Sequence, residues 1–151
     1  MKESGRKEIE AAIPHRDPFL FVERVLDDGD EHFETTWKVP ADADWFRGHY
    51  PGTPVMPGVL ISEHVFQSGA LFVSARMQGF KAADGIPVLA KIESARFRRI
   101  VRPGETLRTT VGVRERLGPA WYMEGECTCE GETVLRIRFV LTATTAAAAT
   151  G

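Results

Sequence analysis

From residue 59 to about residue 77 the chain is apolar on nearly every side of a helical projection. A helix of that kind is enclosed by other structure and does not lie on a surface. Pro57 just before it is a start signal. Elsewhere the pattern switches to strict alternation. Phe33, Thr35, Trp37 and Val39 share one face, and His32, Glu34, Thr36 and Lys38 share the other. The second half repeats this three times. Leu107, Thr109, Val111 and Val113 alternate with Arg108, Thr110 and Arg114. Trp121, Met123, Gly125, Cys127 and Cys129 alternate with Tyr122, Glu124, Glu126 and Glu130, and Leu135, Ile137, Phe139 and Leu141 with Arg136 and Arg138. Turn residues separate these runs at 117–119 and 130–132. Strands with one buried and one wetted face predict an antiparallel meander. A sheet of that kind and one long apolar helix bury each other when the sheet wraps the helix, an α+β arrangement.

The rest of the chain is irregular. A short polar helix is expected near 7–12, and Pro14 and Pro18 exclude a helix between them. Residues 45–58 hold three prolines and three glycines, which makes a loop of constrained shape. At 151 residues the chain is expected to form one domain over 1–142, with the Ala/Thr-rich stretch 143–151 a disordered tail outside it. A net charge of −2 gives no drive toward nucleic acid or an anionic membrane. Glu63, His64 and Gln67 interrupt the most apolar stretch, so it does not read as a membrane span. The first ten residues are charged and lack the apolar run of a signal peptide, so a cytoplasmic location is expected. Cys127 and Cys129, two apart on one strand face, suit packing better than a disulfide, and no histidine beside them suggests a metal.

The candidate chemistry lies in the constrained loop and the helix start. His49 is presented between Gly48 and the Tyr50-Pro51-Gly52 turn, and histidine is the natural general base near neutral pH. Glu63 sits about two turns into a helix otherwise built for a core, where burial favours the protonated acid. Between them, the N–H groups of Gly58 and Val59 fall in the first helical turn, without intrahelical partners and at the positive end of the helix dipole. A base, an acid and an oxyanion donor result. Each also has a bland reading. His49 alone is a solvated loop residue, Glu63 alone a satisfied core carboxylate, and Gln67 merely its neighbour one turn on.

Their order in one segment adds weight. Gly48-His49-Tyr50-Pro51-Gly52-Thr53-Pro54 followed by Pro57-Gly58-Val59-Leu60 and a helix with an acid and a glutamine four residues later resembles the 3-hydroxyacyl-[acyl-carrier-protein] dehydratases of the FabZ type. Further similar blocks are Ile13-Pro14-His15-Arg16 with Pro18-Phe19-Leu20, Ala95-Arg96-Phe97-Arg98-Arg99, and Val101-Arg102-Pro103-Gly104-Glu105. The resemblance implies a hotdog fold, an antiparallel sheet wrapped around the long central helix. It implies catalytic His49 and Glu63, a substrate carbonyl held at Gly58 and Val59, and support from Pro57 and Gln67. It implies no cofactor or metal of the enzyme's own, because the substrate rides on the phosphopantetheine arm of an acyl carrier protein. It also implies a homodimer with sites shared across the interface, His49 of one chain facing Glu63 of the other, and allows three such dimers to assemble further. Glutamate in place of aspartate at the acid favours the plain dehydratase over the relative that also isomerises the double bond, although Val55-Met56-Pro57-Gly58 reads like that relative.

Three departures from the family pattern carry expectations. His64 and Phe66 stand where alanines are usual, and Phe66, with Tyr50, is expected to shape the acyl tunnel unless it simply packs on the sheet. Lys91 stands where the family usually has glycine, and is expected to alter either the tunnel mouth or the carrier contact. Arg96, Arg98, Arg99 and Arg102 offer a basic rim for an acidic carrier, although strand alternation puts Arg99 on the opposite face from Arg96 and Arg98. The rival functions are an acyl-thioester hydrolase on the same fold and a non-catalytic dimer that binds acyl thioesters.

Overall fold

The computed structural model describes residues 3–77 and 86–144. In chain order these form helix α1 (Arg6–Ala12), strands β1 (Arg24–Asp28) and β2 (His32–Lys38), a 3-10 turn (Asp44–Arg47), helix α2 (Gly58–Arg76), and strands β3 (Ile86–Phe97), β4 (Thr106–Leu117), β5 (Ala120–Cys129) and β6 (Glu132–Thr144). The strands make one antiparallel sheet in the order β1-β2-β4-β5-β6-β3. Helix α2 packs against β2 through β6. The expected α+β arrangement is the one the chain adopts.

The alternation predicted along the strands is realised in burial. Phe33, Thr35, Trp37 and Val39 are buried, as are Trp121, Met123, Gly125, Cys127 and Cys129, and each run faces α2. The helix approaches β5 so closely that a Cβ on Gly125 would lie 2.5 Å from a Val65 methyl. Glycine is needed there for the two backbones to meet. Val113 breaks the pattern: a register shift between Val113 and Glu115 turns the end of β4 outward, and Val113 is exposed. Cys127 and Cys129 are free and buried, and burial pushes the Cys127 thiol up to about 12. Strand β6 runs to Thr144, two residues past the boundary expected at 142, because Ala143 and Thr144 pair with Pro87 and Ile86 of β3. Residues 145–151 lie outside the described residues. No helix among the described residues is long and apolar enough to cross a membrane.

The polar residues in the middle of α2 are answered by its neighbours. The His64 ring is held on both nitrogens, Nδ1 2.6 Å from the Phe21 carbonyl and Nε2 2.9 Å from the Thr109 hydroxyl. Gln67 accepts from the Phe21 N–H at 2.7 Å and donates to the Phe19 carbonyl at 2.9 Å. Ser68 Oγ donates to the His64 carbonyl, and Thr35 Oγ1 lies 2.8 Å from it. Buried polar groups are costly unless paired. This seam therefore fixes both the rotation of α2 and the path of residues 19–21 across it, and so fixes where Glu63 points.

Candidate active site

The loop between the 3-10 turn and α2 presents His49. Its backbone N–H and that of Gly48 are tied to the Trp45 carbonyl, and Tyr50 takes a left-handed φ of 58°, rare for a non-glycine residue. The Tyr50 ring stands edge-on to the imidazole with centroids 4.8 Å apart. His49 Nδ1 is 2.7 Å from the Val55 carbonyl oxygen. A carbonyl only accepts, so Nδ1 is the donor, and in the neutral ring Nε2 keeps its lone pair.

At the start of α2 the Pro57 carbonyl accepts from Leu60 and Ile61, which leaves the N–H groups of Gly58 and Val59 without a partner among the described residues. A Cβ at Gly58 would lie 3.0 Å from the Phe97 ring, a tight contact that this half-exposed ring, reaching over the helix start from β3, would have to yield to.

Glu63 is half-buried, and Gln67 one turn later donates to its Oε1 at 3.2 Å. Burial raises the Glu63 carboxyl above the usual range, and the Gln67 bond only partly offsets this. The expected pairing of Glu63 with Gln67 is thus present. A residue that the sequence does not connect to the acid also stands here: His15 Nε2 lies 3.7 Å from Glu63 Oε1. Its motif at 13–20 is visible in the sequence, but no pattern links it to Glu63. No hydrogen bond or ion pair joins His49 to Glu63 among the described residues of the chain.

Phe66 packs on Phe139 of β6 with ring centroids 5.0 Å apart and is almost fully buried, which favours the packing alternative over a tunnel wall. Tyr50 is largely exposed, as is Lys91 on β3. Of the four arginines, Arg99 is engaged by Glu105 at 2.9 Å and by Glu130 and Glu132 further off. Arg96, Arg98 and Arg102 are exposed, and Arg96 lies beside Arg136 on the outer face of the sheet. No group of three or more His, Cys, Asp or Glu side chains among the described residues could hold a metal.

A single antiparallel sheet folded around one apolar helix, with a loop histidine ahead of that helix and a carboxyl within it, defines a hotdog-fold protein. The solved dehydratase heterocomplex ApeI:P from Xenorhabdus doucetiae shares this fold at a TM-score of 0.77, covering 92% of each chain at 16% identity. The FabA-like domain family matches residues 13–138, and the chain belongs to that family. Its curated relatives include a 3-hydroxyacyl-[acyl-carrier-protein] dehydratase FabZ of Anaeromyxobacter sp. (strain K), 38% identical over 87% of this chain and 85% of its own. Another of the same name, from Thermus thermophilus, is 46% identical over 67% of this chain and 70% of its own.

Proposed function

We propose that the protein dehydrates a 3-hydroxyacyl thioester, carried on acyl carrier protein, to the trans-2-enoyl thioester in the cytoplasm. The observation that carries this reading is the opposite proton inventory of two side chains. His49 has its ring proton held on Val55 and a bare Nε2, while Glu63 is biased by burial to hold a proton. His49 Nε2 takes the α-proton, and the N–H groups of Gly58 and Val59 meet the charge that develops on the thioester oxygen. Glu63 protonates the β-hydroxyl as its C–O bond breaks, and water leaves. One proton has then moved from Glu63 to the departing water and another from substrate to His49, and exchange with solvent restores the starting state. The balance closes with no redox partner or cofactor beyond the carrier's arm.

The working unit is a homodimer in this proposal, with His49 of one chain opposite the same acid position in a second copy. Two features support it: the two groups are not joined within one chain, and β3 leaves a long free edge. Leu89, Ile92, Phe97 and Ile100 are exposed along and just beyond that strand, and Val59 at the helix start is 76% exposed. Arg96, Arg98 and Arg102 remain as contacts for an acidic carrier, without Arg99, whose charge is already answered.

The test is formation of the conjugated enoyl thioester from a 3-hydroxyacyl carrier substrate. His49→Ala and Glu63→Gln are each expected to lower turnover by at least about 10²-fold, the usual size of one general acid–base step. Near-normal turnover in either variant removes that residue from the mechanism, and release of free thiol would mark a hydrolase. Because the reaction needs Glu63 protonated, turnover falls on the alkaline side as that carboxyl ionises.

A further inference from the structure

His15 belongs to the segment that leads out of α1, and Arg16 clamps its backbone. The guanidinium donates to the carbonyls of Ile13 at 2.8 Å, His15 at 2.6 Å and Glu10 at 2.7 Å. The ring is turned inward: Nδ1 is sealed from solvent with no hydrogen-bond partner among the described residues, and Nε2 faces Glu63 Oε1 at 3.7 Å. Burial first, and the Arg16 charge second, hold the imidazole below its ordinary value. The contact with Glu63 is therefore not an ion pair at neutral pH. Arg16 is the charged group that shifts it, and the Glu63 carboxyl is the titratable group that faces it. Gln67 is uncharged, and His64 is turned away to Phe21 and Thr109.

A neutral imidazole has one N–H to place. On Nδ1 that donor would be buried and unanswered, whereas on Nε2 it points at the Glu63 carboxyl. Gln67 Nε2 already donates to the same oxygen, Oε1. With two donors gathered on Oε1, the acid's own proton belongs on Oε2, the oxygen left free for substrate. A separation of 3.7 Å is longer than a hydrogen bond, and contacts of this kind tighten when a site fills.

We infer that His15 is a positioning residue for the acid: its Nε2–H, together with Gln67, claims Oε1 of Glu63, so the transferable proton stands on Oε2 and the carboxylate left after transfer meets two donors. This rests on the reading of Glu63 as the acid. It deepens that reading by naming what orients the acid and what stabilises its conjugate base.

The experiment titrates the Glu63 carboxyl by carbon NMR in the full-length protein, alongside steady-state pH profiles, for His15→Phe and His15→Gln. Phenylalanine fills the space without a donor, while the glutamine Nε2 can occupy the place of the histidine Nε2. Loss of a donor disfavours the carboxylate, so His15→Phe is expected to move the Glu63 titration and the alkaline limb of kcat upward by about one pH unit. It should also lower kcat about tenfold while KM changes less than about twofold. His15→Gln is expected to return both toward the parent values. An unmoved Glu63 titration in His15→Phe, or a His15→Gln variant as impaired as the phenylalanine variant, overturns the proposal. If His15→Phe does not fold, the comparison passes to His15→Gln against His15→Asn, whose shorter amide cannot reach Oε1, and equal Glu63 titrations in these two overturn it. The NMR titration reads the contact whether or not Glu63 is catalytic. A failure of the acid assignment would instead appear as retained turnover in Glu63→Gln.

Discussion

Strands β5 and β3 both pair with β6, one on each side, yet they meet the rest of the molecule in opposite ways. Along β5 every second residue is buried against α2, from Trp121 to Cys129. Along β3 every residue from Leu89 to Phe97 is exposed, Ile92 and Phe97 each by half. One sheet thus serves two purposes. Its closed face builds the core that holds α2 and hence Glu63, and its open edge is where the proposed homodimer would pair. Changes on the closed face should therefore register in stability, and changes on the open edge in assembly and turnover.

The largest loss of stability is expected from Phe66→Ala. The ring fills space between α2 and Phe139, and a deletion of that size in a core costs about 3–5 kcal/mol. Chemical denaturation at fixed protein concentration measures it. The same variant asks whether Phe66 also limits the acyl group: since its ring is committed to packing, the preference for acyl chain length should stay that of the parent. A shift toward longer chains would put Phe66 in the tunnel after all.

A loss of order 3 kcal/mol is expected on acidification, through His64. Complete burial holds this imidazole down to about 4 from an ordinary 6.5, with its bond to the Phe21 carbonyl opposing only in part. A base with a depressed folded value takes up its proton in the unfolded chain first. Its contribution is therefore fully present above pH 6.5 and is lost as the pH falls from there to about 4. Glu63 works in the opposite sense, because its raised carboxyl favours the folded state at acid pH and loses that contribution as pH rises. The check is the slope of unfolding free energy against pH in the parent and in His64→Asn. An equal slope over that interval in both would show that His64 is not the group responsible.

What the sequence disclosed divides along the same line. Where one face meets α2 and the other meets water, alternation marks the strand, so β2, β4, β5 and β6 were legible, and the unbroken apolar run gave α2. Strand β3 was not marked, because within one chain its residues from Leu89 onward are exposed on both faces and register shifts at Leu89/Lys91 and Ile92/Ser94 break its phase twice. The short β1 carries a shift of its own between Val25 and Asp27. The candidate site shows the same limit. Gln67 could be paired with Glu63 because four residues bring side chains together on a helix. His15 could not, since its approach to Glu63 depends on how the Pro14–Pro18 segment crosses α2, which no local spacing encodes. The free N–H groups of Gly58 and Val59 follow from helix geometry alone, but the close approach of the Phe97 ring to Gly58 is visible only in three dimensions.

The smallest change in the stability of the fold, and the most direct challenge to the contrast between β5 and β3, is expected from Ile92→Glu on β3. Ile92 is half-exposed and adds little to the core of its own chain, so the substitution should alter intrinsic stability by no more than about 0.5 kcal/mol. On an edge that pairs with a second copy, however, the same carboxylate meets its symmetry mate or an apolar neighbour across the interface, and like charges brought together there are unfavourable. Sedimentation should then report monomers at concentrations where the parent is dimeric, with the circular dichroism of the fold retained. If the site is shared across the dimer as proposed, turnover should fall more than about tenfold, because a lone chain would then lack the partner's half of the acid–base pair. Activity that follows the dimer population as protein concentration is raised would tie the two losses together. A monomeric variant with parental turnover would mean that one chain completes the site, and the open edge of β3 would then need another explanation.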